Sequence, residues 1–273
     1  MTPLRRPVLR RPFLRALCGV LAGVALSATL GSTEARADVL ADIQKAGMLR
    51  VAVPQDFPPF GSVGTDLKPR GYDIDMAALI ARELGVKLEL IPVTSTNRIP
   101  YLTTGKADLV ISSLGRNAER EKVIDFSIAY APFFNGVFGP QDAALSRVEE
   151  LAGKVVGVTR GAVEDLELTK IAPATVTIKR FEDNNSTISA YLTGQVQFIA
   201  TGNVVAAAVN DMTRLRRLDS KFLIKNSPCH IGIAKGESAL TTRVNTIIAR
   251  AKQDGTLNGI AQRWLNAPLP QDL

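Results

Sequence analysis

The chain has 273 residues, enough for one or two domains with a substantial core, and a formal charge of +7 from 33 basic and 26 acidic residues. Residues 1–37 hold six arginines and one glutamate, so residues 38–273 keep 27 basic and 25 acidic side chains, a balance of +2. That near-neutral remainder gives no ground for a nucleic-acid partner, and one His with two Cys makes no metal-ligand cluster.

The first residues read as a targeting segment. Arg5, Arg6, Arg10, Arg11 and Arg15 precede Ala16 to Leu30, an uncharged apolar run too short to span a membrane. Ala35-Arg36-Ala37 fits an A-x-A cleavage site, which predicts a signal peptide over 1–37, Asp38 as mature N-terminus and export to the periplasm. Arg10 to Arg15 (RRPFLR) also fits a twin-arginine signal; the ordinary secretory route is preferred and the other stays open. Cys18 leaves with this segment. Cys229 then stands alone, without an intrachain disulfide, and reads as a small buried residue.

Met48 to Val53 reads as a first strand, running into a stiff loop from Pro54 to Phe60. Gly71-Tyr72-Asp73-Ile74-Asp75 precedes a helical pattern from Met76 to Leu84, closed by Gly85, with Asp73 and Asp75 in cap and dipole roles. Val86 to Val93 alternates as a second strand, and Asn97-Arg98-Ile99-Pro100 opens a helix ending near Thr104-Gly105. Leu109, Val110 and Ile111 form a short buried strand, followed by Ser112, Ser113, Leu114 and Gly115. Asn117 then caps a short helix. A strand end, two hydroxyls, a glycine turn and a helix start are the parts of an anion site, beyond the carboxyl end of a strand. Arg120 falls where a guanidinium could grip a carboxylate through two hydrogen bonds; as a surface charge it would pair with Glu119 or Glu121 instead. Three βα units in a row predict a parallel sheet with right-handed crossovers.

Ala131 to Gly139 is apolar and aromatic, without a turn signal before Gly139-Pro140. Lys154 to Val158 and then Thr159 to Asp165 repeat the strand, glycine turn and helix start, so the amides of Ala162 and Val163 face an anion. Arg160 adds a cation there or sits as a solvated turn charge. Ile178 to Phe181 is a strand, Asn184 to Thr187 caps a helix reaching Leu192, and Gln195 to Ala200 is the next strand. Thr201-Gly202-Asn203 leads to a helix from Val204. His230 has no nucleophile or carboxylate partner assignable from spacing and reads as packed or hydrogen-bonded rather than as a general base.

Asp108, Ser113, Arg120, Asp125-Phe126-Ser127 and Tyr130, with GYDIDMAALIARELG at 71–85 and LAGKVVGV at 151–158, resemble the family 3 periplasmic solute-binding proteins, the polar amino acid receptors of ABC importers. The resemblance runs from about Gly47 to Trp264. It implies a two-lobed α/β fold, each lobe a mostly parallel sheet flanked by helices: lobe one at 38–132 plus 228–273 and lobe two at 133–227. Hinge strands at Ala131–Gly139 and Ser227–Lys235 would join the lobes, which close around the ligand. The implied function is a receptor, not an enzyme: a monomer without cofactor that delivers an amino acid or related small carboxylate to an ABC permease. By resemblance, Arg120 and Ser113 hold the carboxylate, Phe57 covers the ligand, and the Ala162 and Val163 amides reach it from lobe two; Gly115, Arg160 and Asn203 complete the set. A rival on the same fold is a periplasmic cyclohexadienyl-type dehydratase, whose acid or base would be Glu164, Asp165 or His230.

The chain departs from the family pattern at several points. Gly115 and Asn117 stand where hydroxyl residues are usual, Arg116 is extra, Ala162 lacks a hydroxyl and Gln197 replaces an Asp. Gly202 stands where the family commonly places the Asp that pairs with an α-ammonium, with the neutral Asn203 adjacent. Arg116, Arg120 and Arg160 around the cleft mouth would favour acidic amino acids, dicarboxylates or keto acids.

Overall fold

The computed structural model describes residues 38–273; the signal-peptide assignments fall on 1–37, outside the described residues. Asp38 caps helix α1 (Val39–Ala46), its Oδ1 accepting from the amides of Leu40 and Ala41. Strand β1 (Met48–Pro54) follows, then a small antiparallel sheet of β2 (Asp56–Phe57), β3 (Gly61–Val63) and β4 (Pro69–Arg70). Helix α2 (Tyr72–Leu84), β5 (Lys87–Val93), α3 (Arg98–Thr103), β6 (Leu109–Gly115), α4 (Ala118–Glu121) and β7 (Ile124–Ala131) complete the first run.

The chain then enters a second sheet. Its elements are β8 (Phe134–Gly139), β9 (Val155–Thr159), α5 (Val163–Ile171), β10 (Thr177–Phe181), α6 (Asn184–Leu192), β11 (Phe198–Gly202), α7 (Asn203–Met212) and β12 (Asp219–Asn226). It returns to the first sheet as β13 (Cys229–Ala234), and helices α8 (Ser238–Gln253) and α9 (Thr256–Leu265) close the fold.

The first sheet has the order β5-β1-β6-β13-β7 and the second β10-β9-β11-β8-β12. In each, three strands run parallel: β5, β1 and β6 in the first, β10, β9 and β11 in the second. The crossing strands are the antiparallel ones. β13 pairs antiparallel with β6 and β7, and β8 with β11 and β12. Two five-stranded sheets with two chain passages between them make the two-lobed α/β architecture. Leu49, Val51, Met76, Ile80, Leu109 and Ile231 pack the first sheet against α2, α8 and α9, whereas Leu151, Val156, Val158, Leu168 and Phe198 form one core of the second.

Four local expectations are corrected. Helix α2 starts at Tyr72, four residues before the apolar pattern becomes periodic, because Gly71 at φ 142° supplies a start that no side chain caps. Asp73 and Asp75 therefore do not cap: Asp75 binds Arg263 and the Trp264 indole, and Asp73 turns inward. Strand β11 begins at Phe198 and ends at Gly202, later than the apolar run suggests, since Gly194 to Gln197 form a turn. Asp183, one residue before the predicted cap, caps α6 through the Ser186 amide.

Candidate functional site

The carboxyl ends of the parallel strands in the two sheets face one pocket, enclosing about 430 Å³ of space not filled by atoms, part of it continuous with solvent. The first half contributes Pro54 at the end of β1, Asp56 and Phe57 from β2, Val93 at the end of β5 and Ser95 after it, Arg98 from α3, and Ser112, Ser113 and Gly115 from β6. The second contributes Ala162, Val163 and Glu164 at the start of α5 and Asn184 at the start of α6. Phe133, Asn135 and Ser227, beside the two passages, complete the wall.

The floor is held by a buried carboxylate. Asp73 Oδ1 accepts from the Tyr130 hydroxyl at 2.5 Å and Oδ2 from the Ser113 amide at 2.7 Å, while the Tyr72 hydroxyl donates to the Tyr130 carbonyl at 2.8 Å. Ser113 has φ 40°, a left-handed conformation that costs a non-glycine residue free energy unless its surroundings hold it. Asp73 supplies that hold, which turns the end of β6 toward the pocket. Burial pushes the Asp73 carboxyl up to about 7 against the opposing hydrogen bonds and the Arg98 charge.

Arg98 is the cation of the pocket, a residue read from sequence as an ordinary helix start. It is 4 % exposed; its Nη1 donates to the Ser112 carbonyl at 2.5 Å, and its buried Nε has no partner. An arginine placed on the first turn of a helix that follows a sheet strand was the available signal. Arg120 instead spans the two halves, Nη1 donating to the Gly115 carbonyl at 2.7 Å and Nη2 to the Gly161 carbonyl at 2.9 Å, behind the pocket wall. Burial, with the like charge of Arg98 behind it, pushes its guanidinium down to about 9.

The other predicted residues divide. Phe57, Ser113, Gly115, Ala162 and Val163 line the pocket. Phe57 stacks on Phe60 with ring centroids 6.1 Å apart and lies 6.0 Å from Phe133. The Ala162 amide donates to the Thr159 carbonyl at 3.1 Å and is not offered to a ligand; Val163 begins α5, where backbone donors have no helical acceptor. Arg160 is exposed and pairs with Glu182 at 2.8 Å, and Arg116 is exposed and bonds Glu121, so the three arginines do not form one cationic mouth. Asn203 is also exposed and accepts from the Phe134 amide at 3.1 Å, outside the pocket.

Gly202 has no room for a side chain: a Cβ built there would lie 2.0 Å from Phe133 Cζ. Of the three residues weighed as acids or bases, Glu164 alone lines the pocket. Asp165 bonds Arg180 and the Gly161 amide, and His230 Nδ1 lies 2.8 Å from the Ser127 carbonyl. Glu164 is 4 % exposed, and burial pushes its carboxyl up to about 7 against the pull of Arg98 and Arg120. Asp56 is committed across the cleft, Oδ2 accepting from the Asn184 amide at 2.7 Å and Oδ1 from Asn184 Nδ2 at 3.2 Å.

Comparisons with known proteins agree with this architecture. The ABC transporter glutamine-binding protein of Bacillus subtilis (strain 168) is 27% identical over 239 residues, covering 86% of this chain and 87% of that one. A crystal structure of a mutant of ArgBP from T. maritima superposes with a TM-score of 0.78 at 26% identity, over 84% of this chain and 100% of that one. An ancestral amino acid-binding protein, described as a precursor of cyclohexadienyl dehydratase, superposes with a TM-score of 0.75 at 29% identity, over 83% and 98%. The model of the family of bacterial extracellular solute-binding proteins, family 3, matches residues 49–267, and with two sheets closing on one polar pocket the chain belongs to that family as a solute-binding receptor.

Proposed function

We propose that the chain is the periplasmic receptor of an ABC importer for an amino acid or a related small carboxylate. The observation that carries this reading is where buried polar atoms lack partners. Among the described residues these are Arg98 Nε, both amide atoms of Asn135, Ser227 Oγ and Asp219 Oδ2. All but the last belong to residues lining the pocket. Buried polar groups are nearly always satisfied, so a cluster of exceptions around one cavity marks donors and acceptors kept for a ligand.

In this reading Arg98 and the Ser113 hydroxyl take the ligand carboxylate, Phe57 and Phe133 cover its apolar part, and the Val163 amide approaches from the far side. Arg120 holds the halves together. The lobes, 38–132 plus 228–273 and 133–227, close as units about the two passages, and closure follows from tighter binding to the closed form. A signal peptide over 1–37 is cleaved before Asp38, which leaves the cap of α1 intact, and the closed monomer delivers its ligand to a membrane permease.

A thermal-shift screen of amino acids, their 2-oxo counterparts and dicarboxylates tests this directly, since a ligand that binds only the folded chain raises its melting temperature. No stabilisation by any of them overturns the reading. N-terminal sequencing of periplasmic material checks cleavage between Ala37 and Asp38.

One observation favours the dehydratase reading. Glu164 is a buried carboxyl in the pocket with its proton affinity raised to about 7, as a general acid requires. Mass spectrometry after incubation with arogenate or prephenate decides it: turnover replaces the receptor reading, and unchanged substrate retires the enzyme.

A further inference from the structure

We infer that Glu164 is the built-in counter-ion of the pocket arginines, and that it takes up a proton from solvent when a ligand carboxylate arrives to replace it. The inference rests on the receptor reading and adds a regulation of that same pocket.

Glu164 comes from the first turn of α5, beside the second sheet, whereas Arg98 and Arg120 come from α3 and α4, beside the first. All three are buried. Among the opposing charges that act on each of these guanidiniums, Glu164 is the foremost. The attraction therefore runs from one half of the chain to the other.

The count of buried charges decides what a ligand must bring with it. Asp56, Asp73 and Glu164 are buried in the wall and floor of the pocket against two buried cations, Arg98 and Arg120. A ligand carboxylate on Arg98 adds a further negative charge where screening is weak, and like charges that close do not all stay ionised. An α-carboxylate keeps its charge at neutral pH, so a protein acid accepts the proton. Hydrogen bonds select which one. Asp56 accepts twice from Asn184, and Asp73 accepts from the Tyr130 hydroxyl and the Ser113 amide, which favours the ionised form of both. Glu164 has the amide of its own residue, and burial already raises its proton affinity to about 7.

The other charges near α5 are engaged. Asp165 bonds Arg180 and the Gly161 amide, and Glu167 pairs with Lys170 and Lys225. Strands β8, β9 and β11, which pack on α5, carry no charged residue; on β12, Lys221 bonds the Ala143 carbonyl and Asp219 pairs with Arg217.

The test is calorimetry of the mature chain in buffers of different ionisation heat, which counts protons bound per ligand. The probes are the standard L-amino acids, pyruvate and 2-oxoglutarate. For each probe that binds, the wild type should take up close to one proton at about pH 8 and little at about pH 6, with affinity about tenfold weaker at the higher pH. Glu164→Gln should abolish the uptake, remove the pH dependence and bind about tenfold tighter than wild type at about pH 8. Should Glu164→Gln not fold, as judged by circular dichroism, Glu164→Met carries the same comparison. No uptake, release of protons, or weaker binding by the variant at about pH 8 overturns the inference and leaves the receptor reading in place. So does uptake that persists in the variant, which would belong to Asp73. Binding of none of the probes overturns the receptor reading, and the inference with it.

Discussion

Arg120 Nη2 donates to the carbonyl of Gly161 at 2.9 Å, so a guanidinium rooted beside the first sheet ends on the backbone of the second. With Nη1 on the Gly115 carbonyl, one planar group ties two turns that face each other across the pocket. Closure is thus partly encoded in the protein, independent of what lies between the lobes.

Arg120→Ala is expected to weaken ligand binding by removing the charge-assisted bond that joins the two sheets' turns, Nη2 to the Gly161 carbonyl. At about 1.5–3 kcal/mol for a hydrogen bond to a charged group, the loss in affinity is on the order of 10- to 100-fold or more. Lys does not restore it, because an ammonium on a flexible stem lacks the fork that reaches both carbonyls. Calorimetry gives the affinity, and small-angle scattering with ligand present shows whether the closed population has fallen. Normal binding and a normal radius of gyration would show that Arg120 holds nothing shut.

Arg98→Ala is expected to abolish measurable binding, since a buried partner of the ligand carboxylate is lost, at about 2–5 kcal/mol or more. It also leaves Asp73 and Glu164, both of which feel the Arg98 charge, without that cation, so the melting temperature falls as well. Arg98→Lys keeps the charge and separates the two effects: stability should return further than affinity. Affinity returning in full would place the carboxylate elsewhere.

The pH dependence follows from the same two acids. Asp73 and Glu164 both titrate near 7 in the folded chain, above the ordinary carboxylate value near 4. The folded state therefore binds their protons more tightly than the unfolded state. Their contribution to stability grows as pH falls from about 7 toward 4 and is lost as pH rises through that range. His230 acts with the opposite sign below about pH 6.5, because burial lowers its proton affinity. Calorimetric scans of ligand-free protein should show melting temperature rising from pH 8 to 6.5. Glu164→Gln should melt about 2–6 °C above wild type at pH 8, with the gap closing toward pH 5. A gap that stays constant with pH would mean Glu164 is ordinarily ionised.

Much of this was legible in the sequence for physical reasons. The stop of β6 at Gly115 and the start of α4 followed from a glycine turn and an Asn cap, and Asn117 Oδ1 does accept from the Arg120 amide at 2.9 Å. Ser113, Gly115, Ala162 and Val163 were placed by their position at strand ends and helix starts, which the chain itself encodes, and Phe57 by its resemblance to a family position. What spacing cannot encode is where a long side chain ends. Arg98, Arg116, Arg120 and Arg160 each carry the charge five or six bonds from the backbone, and the first two exchanged roles relative to the sequence reading: Arg98 turned inward and Arg116 outward. Asp73 was read as a helix-terminal acid because Tyr130 and Ser113, its partners, lie 57 and 40 residues away. Asn135 carried no motif; its strand pairing with Gly202 is set only by the tertiary fold.

The contact between Gly202 and Phe133 also constrains how this binding site can change. Phe133 packs against Phe57 and Phe60 at ring separations of 6.0 and 5.4 Å, so its ring cannot swing away without disturbing both. Gly202→Asp alone drives a side chain into that ring and should destabilise the chain by about 1–3 kcal/mol or more while closing the pocket. Phe133→Ala alone leaves a hole in an aromatic cluster, at about 3–5 kcal/mol. Made together, the two changes relieve each other, and a double-mutant cycle should return a favourable coupling of about 1–3 kcal/mol. A lineage with this ring in place cannot acquire an acid at position 202 by a single tolerated step. Each single change toward an acid at position 202 costs stability that only the paired change returns.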